Sequence, residues 1–431
     1  MKKEIGLIEA MSIGIGGMVG GGIFAVLGLA VSLSKGGAPI AFLFAGIIAM
    51  ITSYSYVKLS MAFPDRGGTV KFVNKGFGRS VFSGGINNLL WTSYIIMLSL
   101  YASAFGSYAP NLVSIFDKAT DFHIYASLIV LLATAINYYS INVVGKIESY
   151  AVIIKLIILL AFVFLGIYGL FGNPNLSQLA VSNWETPLKL ISGGMVIFVA
   201  YEGFELIANA APDIRKPEIN IRKAYFLTVL FVILLYVTIA IVTIGSLPFK
   251  EIATAEDYVL AEAARPMLGK TGFTIITIAA LISTFSAINA SLYGGSRVSY
   301  EIAEDDELPH QLTYKLWNEP IGLAITTIAT LLVANFLELE SISTAGSVGF
   351  LLIFAIVNYT SFKLYDQIGG NRIVPFIGFL LCSLAIVILM SQEYSTNKTG
   401  VIIAVSIISI CFLMEWIYKR TETNKKHRNM E

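Results

Sequence analysis

The chain has 431 residues, 56% of them hydrophobic and only 13% charged, with a mean hydropathy of +0.75. A soluble domain carries roughly 25% charge, so a soluble enzyme and a disordered chain are excluded; the net charge of +1 excludes a nucleic-acid binder, which needs a basic surplus. Two cysteines, Cys382 and Cys411, sit in apolar runs and support neither a disulfide framework nor a zinc site, and no two of His123, His310 and His427 share a helical turn, so no metal or other cofactor is expected.

Crossing a hydrocarbon core of about 30 Å takes about 20 apolar residues. The sequence contains twelve such runs: Leu7–Leu33, Pro39–Phe63, Val81–Gly106, His123–Tyr139, Ile147–Phe171, Leu188–Ala211, Ala224–Leu247, Thr271–Tyr300, Ile321–Phe336, Ile342–Phe362, Ile373–Met390 and Gly400–Tyr418. The opening Met-Lys-Lys-Glu resembles the start of a signal peptide, but the run after it is too long and lacks a small-residue cleavage site, so it reads as a mature span. An even count puts both termini on one side. With the termini in the cytoplasm, 21 of the 29 Lys and Arg residues fall in inner segments and 7 in outer ones, with Lys155 inside a span; this bias follows the positive-inside rule. The expected location is therefore the cell membrane. The basic tail 419–431 is suited to anionic lipid, and Ala253–Ala264 in the outer loop is expected to form a helix over the outer face.

Two spans differ from the rest. The first contains Ile15-Gly16-Gly17-Met18-Val19-Gly20-Gly21-Gly22-Ile23-Phe24, with glycine dense enough to destabilise a helix by about 1 kcal/mol each. The sixth contains Phe198-Val199-Ala200-Tyr201-Glu202-Gly203-Phe204-Glu205, and a carboxylate at a helix centre costs roughly 2.5–3.5 kcal/mol to insert. The glycines also form small-xxx-small pairs, so close helix packing is an alternative reading of the first span. Each interruption stands about 19 residues before the next span or its basic flank and is followed by four further spans. Matched interruptions in two halves of odd span number are the sign of an inverted repeat: residues 1–171 form one five-helix block, 188–362 the second, and 373–418 two additional helices.

These stretches resemble the amino acid–polyamine–organocation transporters. Ile-Gly-x-Met-x-Gly-Gly-Gly-Ile-Phe is similar to that family's first-helix signature. Tyr201 to Glu205, with Asn209, Pro212, Lys216-Pro217 and Ile221, is similar to its sixth helix and inner loop; Pro64-Asp65-Arg66-Gly67-Gly68 is similar to its second inner loop. The likeness covers the first ten spans and lies nearest the prokaryotic ApcT-like proton-coupled amino acid symporters. It implies an all-α membrane protein of twelve transmembrane helices with the LeuT-type five-plus-five inverted repeat. An amino acid would sit between broken helices 1 and 6. Unwound backbone at that depth needs polar partners. Amides near Gly20, Gly21 and Gly22 open a half-helix whose positive end suits a carboxylate, and carbonyls near Gly17, Val199 and Ala200 suit an ammonium.

Lys155 stands in Ala151-Val152-Ile153-Ile154-Lys155-Leu156-Ile157-Ile158, with no polar neighbour within four positions. From the residues alone it either snorkels to the inner headgroups or serves transport. The resemblance implies the second: a fifth-helix lysine fills the place of a coupling sodium, with partners near Gly16 and at Ser283 and Ser286, and releases a proton once per cycle. Glu202 and Glu205 have two readings, structural carboxylates at the broken helix or groups that sense protons or contact the substrate. Tyr94, Asn289, Tyr293 and Ser347 are further pocket candidates, and Asn397-Lys398-Thr399 is a sequon of no weight. The expected function is secondary amino acid transport, by proton symport or, alternatively, exchange, and not enzymatic catalysis. The partners are an amino acid, a proton and membrane lipid, with no nucleic acid, in a monomer or weak homodimer.

Overall fold

The structure is a computed structural model and describes residues 5–139, 141–171, 174–305, 307, 313–316 and 319–428; His310 and the last three residues of the basic tail lie outside them. The first span is two helices, α1 (Leu7–Met18) and α2 (Gly22–Ser34), meeting at 48°. The second is α3 (Ala38–Ala62), followed by the short α4 (Thr69–Phe77). The third, fourth and fifth spans are α5 (Val81–Tyr108), α6 (Lys118–Tyr139) and α7 (Ile141–Leu170). The sixth is α8 (Pro187–Val196), a 3-10 turn over Ile197–Tyr201, and α9 (Leu206–Ala210). The seventh is α10 (Pro217–Ser246), and the loop after it holds α11 (Phe249–Thr254) and α12 (Val259–Ala263). The eighth is α13 (Arg265–Glu304); a two-residue hairpin, β1 (Lys315–Leu316) on β2 (Glu319–Pro320), leads to α14 (Ile321–Phe336). The tenth is α15 (Leu339–Lys363), followed by α16 (Tyr365–Ile368), α17 (Ile373–Thr396) and α18 (Lys398–Arg428). Ten described spans have full membrane length, the bent first pair adds one, and α14 is a shorter apolar helix. The chain is thus an all-α membrane protein, and these helices account for the twelve runs read from the sequence.

Depth in the bundle follows burial. In the apolar windows of α5 and of the sixth span 89% of residues are buried, against 28% for α6, α17 and α18, so the former are central and the latter face lipid. Their outward side chains, such as Leu128, Leu384 and Leu413, are large and exposed; in water this would be an aggregation surface, and in hydrocarbon it matches the solvent. Between helices the contacts use small and hydroxyl residues. Ser55 donates to Asn358 Oδ1 at 2.6 Å, and the hydroxyl of Tyr201 donates to Phe42 O at 2.8 Å. Such bonds hold helices together where no hydrophobic difference exists between neighbour and lipid. Both cysteines are buried and free, Cys382 beside the Thr52 hydroxyl at 3.8 Å and Cys411 beside Thr92 at 3.4 Å.

Charges cluster where α13 ends, beside α4 and the start of α5. Asp305 accepts from Lys71 at 2.9 Å, Asn74 at 3.1 Å and Arg79 at 2.6 Å. Glu307 accepts from Ser83 at 3.0 Å and Asn87 at 2.6 Å, and burial pushes its carboxyl above the usual range. The loop between the second and third spans is thereby tied to the end of the eighth.

The outer-loop helix expected over Ala253–Ala264 is instead broken into α11, a 3-10 turn at Glu256–Tyr258, and α12. The breaks fall at Ala255 (φ −105°, ψ 20°) and Tyr258 (φ −138°, ψ 27°). A straight helix would bury one stripe; the bent segment buries Ala255, Val259, Leu260, Ala261 and Ala263 together and packs on α2. Asn397 is no glycosylation site in this fold, because its side chain is buried, accepting from Ser341 at 3.0 Å and from the Gly400 amide at 2.9 Å.

Candidate functional site

The first span stops at Met18 because three glycines follow within four residues, and a helix end leaves its last carbonyls without intrahelical partners. Those carbonyls accept side chains from three other spans. Lys155 on α7 donates its Nζ to Gly16 O at 3.0 Å, with the whole residue shielded from solvent. Tyr236 on α10 shares its hydroxyl proton between Met18 O at 2.6 Å and Ala200 O at 3.2 Å. Ser283 on α13 lies 3.1 Å from Val19 O and 2.5 Å from Gly20 O. Ser286, one turn on, is fully buried.

The sixth span tightens into its 3-10 turn and then leaves helical geometry. Glu202 is extended (φ −64°, ψ 151°), and Gly203 takes φ +116°, a conformation open to glycine alone at little cost. The Gly203 amide donates to Glu205 Oε2 at 2.8 Å. Ser347 accepts from the Val199 amide at 3.0 Å and donates to Val196 O at 2.7 Å.

The two breaks abut. A Cβ on Gly17 would stand 2.8 Å from Gly203 Cα, and one on Gly22 would stand 3.0 Å from Ala200 Cα. Glu202 and Glu205 are 3% and 1% exposed and point into the bundle rather than to lipid. Their carboxyls face each other, with Tyr101 on Glu202 and Tyr94 on Glu205. Below the breaks a cavity of about 510 Å³ opens toward the face that carries the N-terminal segment, between α1, α9 and α13. On the opposite face α12 covers α2.

A family model of amino acid permeases matches residues 5–414. The chain belongs to the amino acid permease family. It is 32% identical over 432 residues to an uncharacterized protein of Methanocaldococcus jannaschii, covering 99% of this chain and 98% of that one. It is similar to the inner membrane transport protein YbaT of Escherichia coli, at 31% over 425 residues, 98% and 97% of the two chains. The branched-chain amino acid permease BcaP of Bacillus subtilis is 22% identical over 421 residues, 89% and 87% of the two chains. This permease is therefore a multi-pass membrane transporter of the amino acid permease family and not an enzyme.

The residues singled out in the sequence fall into two groups. Gly16, Gly17, Gly20, Gly21, Gly22, Lys155, Val199, Ala200, Glu202, Glu205 and Ser283 all lie at or against the two breaks, and Ser286 is buried one turn from Ser283. Asn289 lies deeper in the eighth span and bonds Asn137 at 3.1 Å, and Tyr293 lines the cavity below. The carbonyls of Val199 and Ala200, expected to face an ammonium, already accept from the Glu202 amide at 3.2 Å and from Tyr236. A carbonyl has a second lone pair, so each retains capacity for one more donor. Three residues with a place here are missing from the sequence reading: Tyr236, which joins the two breaks, Tyr101, which packs on Gly21 and Glu202, and Gly203 as a backbone requirement. Only Gly203, standing between two buried acids, carries a local sign.

Two expected outcomes follow from this geometry. A Cβ on Gly21 would overlap the Tyr101 ring, although Gly21 itself is helical (φ −81°, ψ −16°). Gly21→Val should therefore abolish substrate binding between the breaks by crowding rather than by backbone strain, while the protein elutes as the wild type does; unchanged high-affinity binding in detergent would refute this. Glu205→Gln retains the shape but not the charge beside the Gly203 amide and the Glu202 carboxyl. It should displace the pH profile of uptake, and an identical profile would leave Glu205 a structural cap.

Proposed function

We propose that this permease is a proton-coupled amino acid symporter that works by alternating access, with both termini cytoplasmic. The observation that carries the reading is the Lys155 ammonium on the Gly16 carbonyl at the first break. Charge at that position neutralises the carbonyl end of α1, the task a coupling cation performs, without any ion. The substrate would lie between the breaks. Amides at Gly20, Gly21 and Gly22, at the start of α2, would receive its carboxylate. The ammonium would face Gly17 O and the Glu202 carboxyl. The buried acids Glu202 and Glu205 supply a second place for a proton, since an acid inside a span is costly to keep without a functional or structural partner.

Residues 1–171 and 188–362 would form the two inverted repeats of a LeuT-type fold. In the cycle, the first, second, sixth and seventh spans would rock against the third, fourth, eighth and ninth. The cavity under the breaks, with the opposite face covered, would be the release path of an inward-facing state.

The test is uptake into proteoliposomes of a panel of labelled amino acids, with an imposed proton gradient, a sodium gradient, or neither. Accumulation of one amino acid driven by the proton gradient alone supports the proposal. Uptake that occurs only when an amino acid is preloaded inside would make the protein an exchanger.

A further inference from the structure

The cavity below the breaks has a charge arrangement that the transport reading does not use. Its wall on the eighth span is one helical face: Ala290, Tyr293, Gly294, Arg297 and Glu301, a spacing of three and four residues continuing the line of Ser286. Arg66 lines the cavity as well but is committed to Asp213 at 3.1 Å. Glu301, one turn beyond Arg297 and its natural i,i+4 partner, turns away to Lys71 at 3.4 Å. Among the described residues no carboxylate pairs with Arg297. Its guanidinium instead lies over the Tyr293 ring at 4.7 Å.

Stacking on an aromatic face fixes the plane of a guanidinium while leaving its in-plane N–H groups available. Five donors in a planar fork match a carboxylate in bidentate fashion. Asp213, paired with Arg66, and Glu301, paired with Lys71, also line this cavity, and a carboxylate so paired keeps lone pairs for a further donor such as an ammonium. Arg297 stands about 16 Å along α13 from Ser286, so a molecule held there has left the breaks.

We propose that Arg297 is the carboxylate anchor of a second, weaker amino acid site in this cavity, occupied on the way between the central site and the solvent at the N-terminal face. The proposal rests on the transport reading for its role, but its chemistry concerns only the backbone-type ends of the ligand. It takes any α-amino acid and discriminates against the corresponding amine, which lacks the group that Arg297 holds.

The test uses purified wild-type protein and phenylglyoxal, which modifies guanidinium groups, with peptide mass spectrometry reading Arg297 separately from Arg66. L-leucine at about nine times the dissociation constant of the low-affinity phase should slow modification of Arg297 by about tenfold, because only the unoccupied fraction reacts. 3-Methylbutylamine, the same molecule without its carboxylate, should not. The protection should persist in Gly21→Val, where the central site is blocked. Equilibrium dialysis of labelled leucine gives the second readout: Arg297→Gln should weaken the low-affinity phase about tenfold or more, and Arg297→Lys, a charge without the fork, should weaken it less. Equal modification rates with and without leucine, equal protection by the amine, or a dialysis curve unchanged in Arg297→Gln would overturn the proposal. Protection lost in Gly21→Val would also overturn it, because Arg297 would then merely report closure of the path. Failure of wild-type uptake with every amino acid in the panel sinks the transport reading instead, and leaves these binding results to stand or fall alone.

Discussion

Lys155→Ala is expected to eliminate proton-driven uptake while substrate binding is partly retained. The ammonium joins α7 to the broken end of α1 through Gly16 O at 3.0 Å, wholly out of solvent. Its removal leaves a buried carbonyl one donor short, at a cost of about 1–3 kcal/mol. That cost falls only on the arrangement in which α1 and α7 are joined. An energy of this size biases a two-state equilibrium by roughly 5- to 150-fold, enough to strand the protein on one side of its cycle. Lys155→Arg keeps a charge that does not dissociate at accessible pH, so it should bind substrate and not turn over. If, as proposed, the ammonium takes the place of a coupling cation, wild-type uptake should be indifferent to sodium. Proteoliposome uptake at varied pH and sodium checks all three; normal proton-driven uptake by Lys155→Ala, or sodium dependence in the wild type, would falsify the assignment.

Gly203→Ala is expected to be as damaging, for a different reason. At φ +116° a residue with a Cβ is strained, by about 1–3 kcal/mol for the backbone alone. The added methyl would also fall on the backbone of Gly17 and Met18, where the two breaks meet with no side chain between them. The first and sixth spans must then separate, taking the Tyr236 bridge with them. A thermal unfolding scan in detergent should show a marked loss of stability together with loss of binding. Gly294→Ala is the control: it is helical, and nothing stands within 4 Å of the added atom. It should be neutral or slightly stabilising, by up to about 1 kcal/mol. Equal behaviour of the two variants would show that the contact between the breaks is not tight.

The spans were legible because burial in lipid demands long apolar runs, and each run named from the sequence has its helix. The two breaks were legible because glycine density and intramembrane acids are costly anywhere else. Gly16 as the acceptor for Lys155 was named through resemblance, and the geometry agrees. The ties between spans were not legible. Tyr236 reaches Met18 across 218 positions, and no pattern in α10 marks that residue among its apolar neighbours. In a helix surrounded by lipid and by other helices, apolar residues occupy every face, so periodicity does not say which face is packed. The eighth-span stripe that carries Arg297 and Glu301 is an exception. Its spacing is visible in the chain, but its meaning depends on Glu301 turning toward Lys71, which only the fold reveals. Ser283, named with Ser286 as a partner for Lys155, donates its hydroxyl to the carbonyls of the first break, where a helix end leaves acceptors without intrahelical amides.

The sheltered thiols of Cys382 and Cys411 have a practical consequence. A maleimide probe added to the native protein finds neither sulfur readily, since thiol reactivity requires an accessible thiolate. The wild-type chain is therefore already a quiet background for site-directed labelling, with no need to mutate the native residues first. A single cysteine introduced at Ala290, on the cavity wall, would be the dominant reactive position, and its alkylation rate would follow the opening and closing of that path in real time.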